Sequence, residues 1–421
     1  MWAQHENLAK LPARDRVSAC IALKLARPKN ESWPRFFLRD PDGSVQFEAL
    51  RWIADEQLVA LLPEIEAKLR DSDLDYHRFA ACLAAANTLR GNARAGVHDT
   101  AMLLERVRDR NAPARVRAYA LRLLLPRGGD LSISFLRELL ALNDPKLARE
   151  AVRALAARAT AEAAAVLSET ARHDSASPEL KAEAILGLAA RPDDHLPLLL
   201  QLAQEANPTV RDEALRALRL TTLTPGQQET VRAIAREIPA SAEMTRAILE
   251  PAALSAGRPA FSDHQQWQGR LDREKTPPDP RAGERIFFHP RLALCSSCHQ
   301  HSGRGNIVGP NLSAVASQGD EAWLLRAILE PSRDVAPQFF ATALELKNGS
   351  TFAGIMLRDG GGGREFYRDL TGRERAINTA DVMSRRELRS SVMPEGLLAT
   401  LTDREIRDLL AFLREPAAQS R

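Results

Sequence analysis

Between residues 10 and 250 apolar side chains recur at spacings of three and four in a background rich in Ala, Leu and Arg. That period predicts a run of amphipathic α-helices. A longer period is superimposed on it. Ala112-Pro113 leads into Val116, Arg117, Ala120 and Leu121, and Asn143-Asp144-Pro145 leads into Leu147, Arg149, Ala151, Val152 and Leu155. Ser177-Pro178 then leads into Leu180, Lys181, Ala184, Ile185 and Leu188, and Asn207-Pro208 into Val210, Arg211, Ala214, Leu215 and Leu218. The basic positions 117, 149, 181 and 211 follow one another at intervals of 30 to 32 residues, within the range of helical solenoid repeats. Proline suits the first turn of each helix, where the N–H it lacks has no partner to lose.

The pattern changes after residue 252. Periodicity fades, Pro, Gly and charged residues accumulate, and Thr276-Pro277-Pro278-Asp279-Pro280 cannot continue a helix. Residues 253–280 are therefore expected to be a linker between a repeat array, 1–252, and a second domain, 281–416. In that domain Arg281 to Phe288 reads as a short helix, Gly303 to Gly309 as a loop, and Asp320 as the cap of a helix carrying Trp323, Leu324, Leu325, Ile328 and Leu329. From about 340 to 390 the period shortens to two. Thr342, Leu344 and Leu346, the turn Asn348-Gly349, then Phe352, Ile355 and Leu357 predict a β-hairpin, with further strands at Phe366–Leu370 and Arg375–Asn378. Thr402 and Glu405 form a capping box ahead of Ile406, Leu409, Leu410 and Leu413, which share one face of a final helix. The expected fold is mainly α, with a small antiparallel insert.

Composition narrows the partners. The 58 basic and 55 acidic residues are interspersed and leave a formal charge of +3, so no nucleic-acid footprint is visible. No run of about 18 apolar residues predicts a transmembrane segment. Of four cysteines, Cys20 and Cys82 fall in apolar helical patterns and are expected to be small core residues, although a disulfide between them is open.

The other two carry the chemistry. In Cys295-Ser296-Ser297-Cys298-His299, two thiols separated by two residues can each add to a vinyl group of one haem, and the histidine that follows falls under the iron as proximal ligand. This predicts one covalent haem c. The competing occupant is zinc, which needs four ligands and finds no second Cys or His pair at suitable spacing. For the position opposite His299, Met393 stands before Pro394 in a stretch without regular structure, which projects its thioether; His289 is the runner-up. Met356 and Met383 belong to or adjoin strands and are expected to pack in a core, and His301 is too near His299 to reach the other side of the iron.

The order of Gly283 and Phe287 in a first helix, CSSCH, GPNL, a middle helix, a Met and a final helix with Phe412 resembles a class I cytochrome c. More narrowly, FFHPRLALCSSCH, VGPNLS, ILEPSRDVAPQF and SVMPEGLLATLTDREIRDLLAFL resemble the haem-binding domain at the C terminus of large bacterial proteins, in which a dehydrogenase-like β-propeller and HEAT-like repeats precede it. The helical stretch resembles HEAT-type repeats, including a unit around Tyr76 to Leu89, a degenerate one before Pro28 and another opening within Phe37–Arg51. No stretch of these 421 residues is expected to form the propeller. The resemblance implies that the Pro310 carbonyl accepts the remaining His299 N–H, that Met393 is the sixth ligand, and that the chain carries electrons rather than catalysing a reaction. Its partners would be a dehydrogenase module and a downstream acceptor. It also implies a periplasmic or otherwise exported protein; since MWAQHENLAKLPARDR has no apolar signal core, the export signal is expected upstream of this chain. Two alternatives stay open: a haem sensor or enzyme with a displaceable sixth ligand, and an interaction solenoid whose CxxCH is empty.

Overall fold

A computed structural model describes residues 5–27, 29–72, 74–92, 96, 99–124, 131–142 and 144–415. Pro28, Asn143 and Pro416, which bounded expected repeats and the second domain, lie outside the described residues. The chain is mainly helical with a small antiparallel sheet, and it divides into two compact units, residues 1–154 and 155–421.

In the first unit the helices Gly43–Asp55, Tyr76–Leu89 and Thr100–Arg108 each begin behind an aspartate, Asp42, Asp75 and Asp99, whose carboxylate accepts from backbone N–H groups of the first turn. Phe37, Trp52, Phe79 and Leu121 fill the interior, and Cys20 and Cys82 are both free and buried there. Burial pushes each thiol up to about 12, so they are neutral filling. The repeated basic position Arg117 is buried and donates to Val107 O at 2.9 Å, tying its helix, Ala114–Leu124, to the preceding one.

The second unit continues the pattern with the helices Ala161–Arg172, Pro178–Leu188, Pro208–Ala217, Pro225–Glu237 and Ala242–Leu249. Ser177, Asn207 and Thr224 cap three of them and are followed at once by proline; the first two stand where the long period predicts, and Thr224 falls between its positions. Arg211, the counterpart of Arg117, donates to Glu205 O, Ala206 O and Ser241 Oγ.

The stretch expected as a linker contains a helix, His264–Leu271, and its Trp267 and Leu271 are buried in the same core as Ile286, Phe287, Leu409 and Leu410. An amphipathic signal of eight residues among Pro and charge is too short to read from sequence, and burial of one indole decides it. The helices Pro280–Phe287 and Asp403–Arg414 cross in direct backbone contact: a Cβ on Gly283 would stand 2.0 Å from Asp408 O.

Residues 300–305 form a two-stranded ribbon, β1 (Gln300–His301) and β2 (Arg304–Gly305), the second strand falling within the expected loop Gly303–Gly309. The insert is a sheet of β3 (Ala341–Leu346), β4 (Thr351–Asp359), β5 (Arg364–Asp369), β6 (Glu374–Asn378) and β7 (Val382–Leu388), in the order β6-β5-β4-β3-β7 and antiparallel throughout. Gly349 takes φ +82° in the turn joining β3 to β4. Strand β7 was not foreseen. Its sequence VMSRREL is largely exposed and lacks the alternation of a half-buried strand, and its backbone pairing with β3 supplies the element instead.

Candidate functional site

The CSSCH turn is held by backbone bonds to Cys295 O, Ser296 O and Cys298 O. Cys295 to Ser297 form one turn of 3₁₀-helix, and His299 N donates to Cys295 O at 2.9 Å. Asn306 N donates to Ser296 O at 2.9 Å, Gly309 N to Cys298 O at 2.8 Å and Leu312 N to Gln300 O at 2.8 Å. Two residues in the left-handed region, Ala293 and Leu294, both at φ 53°, turn the chain sharply into Cys295. Neither is glycine, so the turn is imposed by its surroundings at a local cost.

Both thiols are free and half-buried. Cys295 packs against the helical core of Ile286, Phe287, Leu325 and Leu409, and burial pushes it up to about 12. Cys298 packs instead against a second cluster, Val308, Ala341 and Ile355, rimmed by Phe339, Leu388 and Val392; burial raises its thiol too. The pair thus sits on the seam between helices and sheet.

His299 Nδ1 lies 2.9 Å from Pro310 O. A carbonyl can only accept, so Nδ1 carries the proton and the Nε2 lone pair is left for a metal. Burial holds the ring below the ordinary imidazole value, with the bond to Pro310 working the other way. Gly309 makes room for the ring: a Cβ there would stand 2.6 Å from His299 Cε1.

Met393 is half-buried in the stretch between β7 and the last helix, where its N–H donates to Ser391 Oγ at 3.1 Å. Its neighbour Val392 joins the cluster that covers Cys298. The runner-up, His289, faces elsewhere. It is 2 % exposed, its Nδ1 accepts from Arg291 N and Leu292 N at 3.1 and 3.0 Å, and burial beside Arg216 and Arg219 pulls it down to about 3. His301 is buried against Phe412, 4.4 Å between ring centres, and Phe287. The expectation that Met356 and Met383 pack in a core is corrected: they are 41 % and 65 % exposed, because position 356 stands beside the register shift in β4 and β7 is an edge strand.

Behind the helical side of the turn lies a buried charge cluster. Glu405, the N3 residue of the predicted capping box, accepts from Thr402 N at 2.9 Å, Arg216 Nε at 2.9 Å and Arg219 Nη1 at 2.7 Å. Glu213 accepts from Arg285 Nε at 2.7 Å and also from Arg216. All five of these Arg and Glu side chains are 5 % exposed or less. Burial alone would raise the Glu405 carboxyl; Arg219 and Arg216 more than offset it and hold it at about 2. The cluster ties Pro208–Ala217, from the repeat pattern, to the helices Pro280–Phe287 and Asp403–Arg414 that frame the turn. Its only sequence signal was the capping box.

Among the described residues, no group of three or more His, Cys, Asp or Glu side chains is placed to hold a metal ion. No helix among them is long and apolar enough to cross a membrane. Compared with known protein families and with curated proteins, the chain finds no match in either.

Proposed function

We propose that residues 281–415 form a class I-like cytochrome c domain that binds one haem through Cys295 and Cys298, with His299 and Met393 as axial ligands, and that the protein transfers electrons. The helices before it are read as a HEAT-like solenoid that serves as scaffold or docking surface. The observation that carries the reading is the His299 Nδ1 to Pro310 O bond, which sets the one tautomer able to offer Nε2 to iron. Three further features fit the group: two free thiols on a single turn, the glycine floor under the imidazole, and an apolar wall on each side of the pair. When bound, haem supplies one-electron chemistry at its iron.

The chain's own residues do the rest. Cys295 and Cys298 would anchor the group by two thioethers, His299, held by the Pro310 carbonyl, would offer Nε2 to its iron, and Met393 would offer a thioether as second ligand. Substrate chemistry then belongs to a partner dehydrogenase, with a second redox protein as acceptor, and the site of work is an exported compartment. Export of the chain alongside a cytochrome c maturation system should give haem staining that survives a denaturing gel and a low-spin reduced spectrum. Cys295→Ala with Cys298→Ala should abolish the staining; haem retained by that double variant would overturn covalent attachment. Met393→Ala should shift the iron toward high spin and admit carbon monoxide. Rapid carbon monoxide binding by the unmutated protein would favour a sensor or enzyme.

A further inference from the structure

Strand β5 runs into β6 through Leu370-Thr371-Gly372-Arg373, a turn organised by one carboxylate. Asp369 Oδ1 accepts from Thr371 N at 2.9 Å, Thr371 Oγ1 at 2.6 Å and Arg373 N at 3.0 Å, while its Oδ2 takes Arg375 Nε at 2.9 Å. This turn rests on Asn306, seven residues after His299. Asn306 Nδ2 donates to Thr371 O at 2.9 Å, and its Oδ1 accepts from Ile307 N at 2.8 Å. The packing is close enough that a Cβ on Gly372 would stand 2.0 Å from Asn306 Oδ1. From the other end, Asn306 N donates to Ser296 O, inside the CSSCH turn. One residue therefore bonds the motif with its backbone and the far corner of the sheet with its side chain.

The same sheet supplies the wall behind Cys298. Ala341 of β3 and Ile355 of β4 are two of the three buried members of the cluster on which that thiol rests, Val308 being the third, and Leu388 of β7 is at its rim. Cys295 rests on helices. We infer that Asn306 is a positioning residue: it straps the sheet to the CSSCH turn and so holds the wall over Cys298. For its functional meaning the inference rests on the haem reading, in which that wall forms one side of the haem cleft. Its test does not need haem.

The test is the alkylation rate of each cysteine, resolved by peptide mass, in the reduced full-length protein without attached haem. Asn306→Ala removes the strap and should raise Cys298 labelling relative to Cys295 by about five- to tenfold, the scale of one lost hydrogen bond in a local opening. Asn306→Asp keeps the oxygen for Ile307 N and loses the donor to Thr371 O, so it should rise similarly. Gly372→Ala attacks from the sheet side and should do the same. Gly361→Ala is the control: it imposes the same unfavourable backbone, φ +71°, in the same sheet with nothing within 4 Å, and should leave the ratio unchanged. Equal labelling of Asn306→Ala and the unmutated protein would overturn the inference, and so would a parallel rise of Cys295, which would mean general loosening. If the ratio shifts as expected but the unmutated protein never retains haem after maturation, the strap stands and the haem reading falls.

Discussion

Cys295 and Cys298 lie three residues apart, yet their surroundings have little in common. Cys295 is backed by an extensive buried core of helical side chains, with the Glu405 charge cluster and the Gly283–Asp408 backbone contact behind it. Cys298 is backed by three buried residues and a half-buried rim, on a sheet whose β6 and β7 edges are open. Buried apolar contacts set how much free energy a local opening costs, so the helical side should open only with global unfolding and the sheet side below it. A site built this way has one fixed wall and one adjustable wall, and perturbations should separate them.

The largest effect is expected from Glu405→Ala. Removing this carboxylate leaves buried Arg219 with only the Thr400 carbonyl and Arg216 with Glu213 alone, at a cost of about 3–5 kcal/mol. Denaturant unfolding should show that loss as a lower midpoint with unchanged slope. The same side also fixes the acid response. Glu405 is held at about 2 against an ordinary 4.5, so its contribution is complete above pH 4.5 and is lost as pH falls toward 2. His289 sits at about 3 against 6.5, so the unfolded chain takes up a proton that the folded one refuses, and stability also falls below pH 6.5. A stability profile flat from pH 7 to 3 would contradict both placements.

Next in size is Ile355→Ala, which hollows the wall behind Cys298 at a cost of about 2–3 kcal/mol. Its informative readout is again the thiol pair: Cys298 should become reactive while Cys295 stays protected. Equal exposure of both would erase the contrast between the two sides.

The smallest effect has the opposite sign. Burial raises the Asp408 carboxyl to about 6 from 3.8, against the pull of the Asp279 N–H that it accepts at 2.7 Å. The folded state therefore binds the extra proton between those values, and stability falls as pH rises from 3.8 to 6. Asp408→Asn retains the acceptor and removes the charge. It should stabilise the protein by about 1–2 kcal/mol above pH 6 and by nearly nothing below pH 4, read as the difference between two thermal unfolding series.

Local patterns made much of this legible beforehand. The helices opening at Pro178 and Pro208, the Asn348-Gly349 hairpin and the Thr402–Glu405 box are encoded within a few residues, where capping and turn geometry act. The thiols and imidazole of the candidate site are contiguous, so their grouping needed no tertiary information. The Met383 and Met356 assignments failed because exposure of a strand residue depends on which neighbour covers it and on register, and neither is local.

What the amino-acid sequence determined by itself was therefore the periodicity, the caps and the CSSCH turn, all set by interactions between residues close in the chain. Tertiary structure alone decided that Glu405 meets Arg216 across 189 positions and that Asn306 meets Thr371 across 65. It also placed Trp267 of the expected linker in the C-terminal core. Such pairings carry no periodic signature, because a buried ion pair or a backbone carbonyl in reach of an amide is chosen by packing, which brings together groups that the sequence leaves far apart.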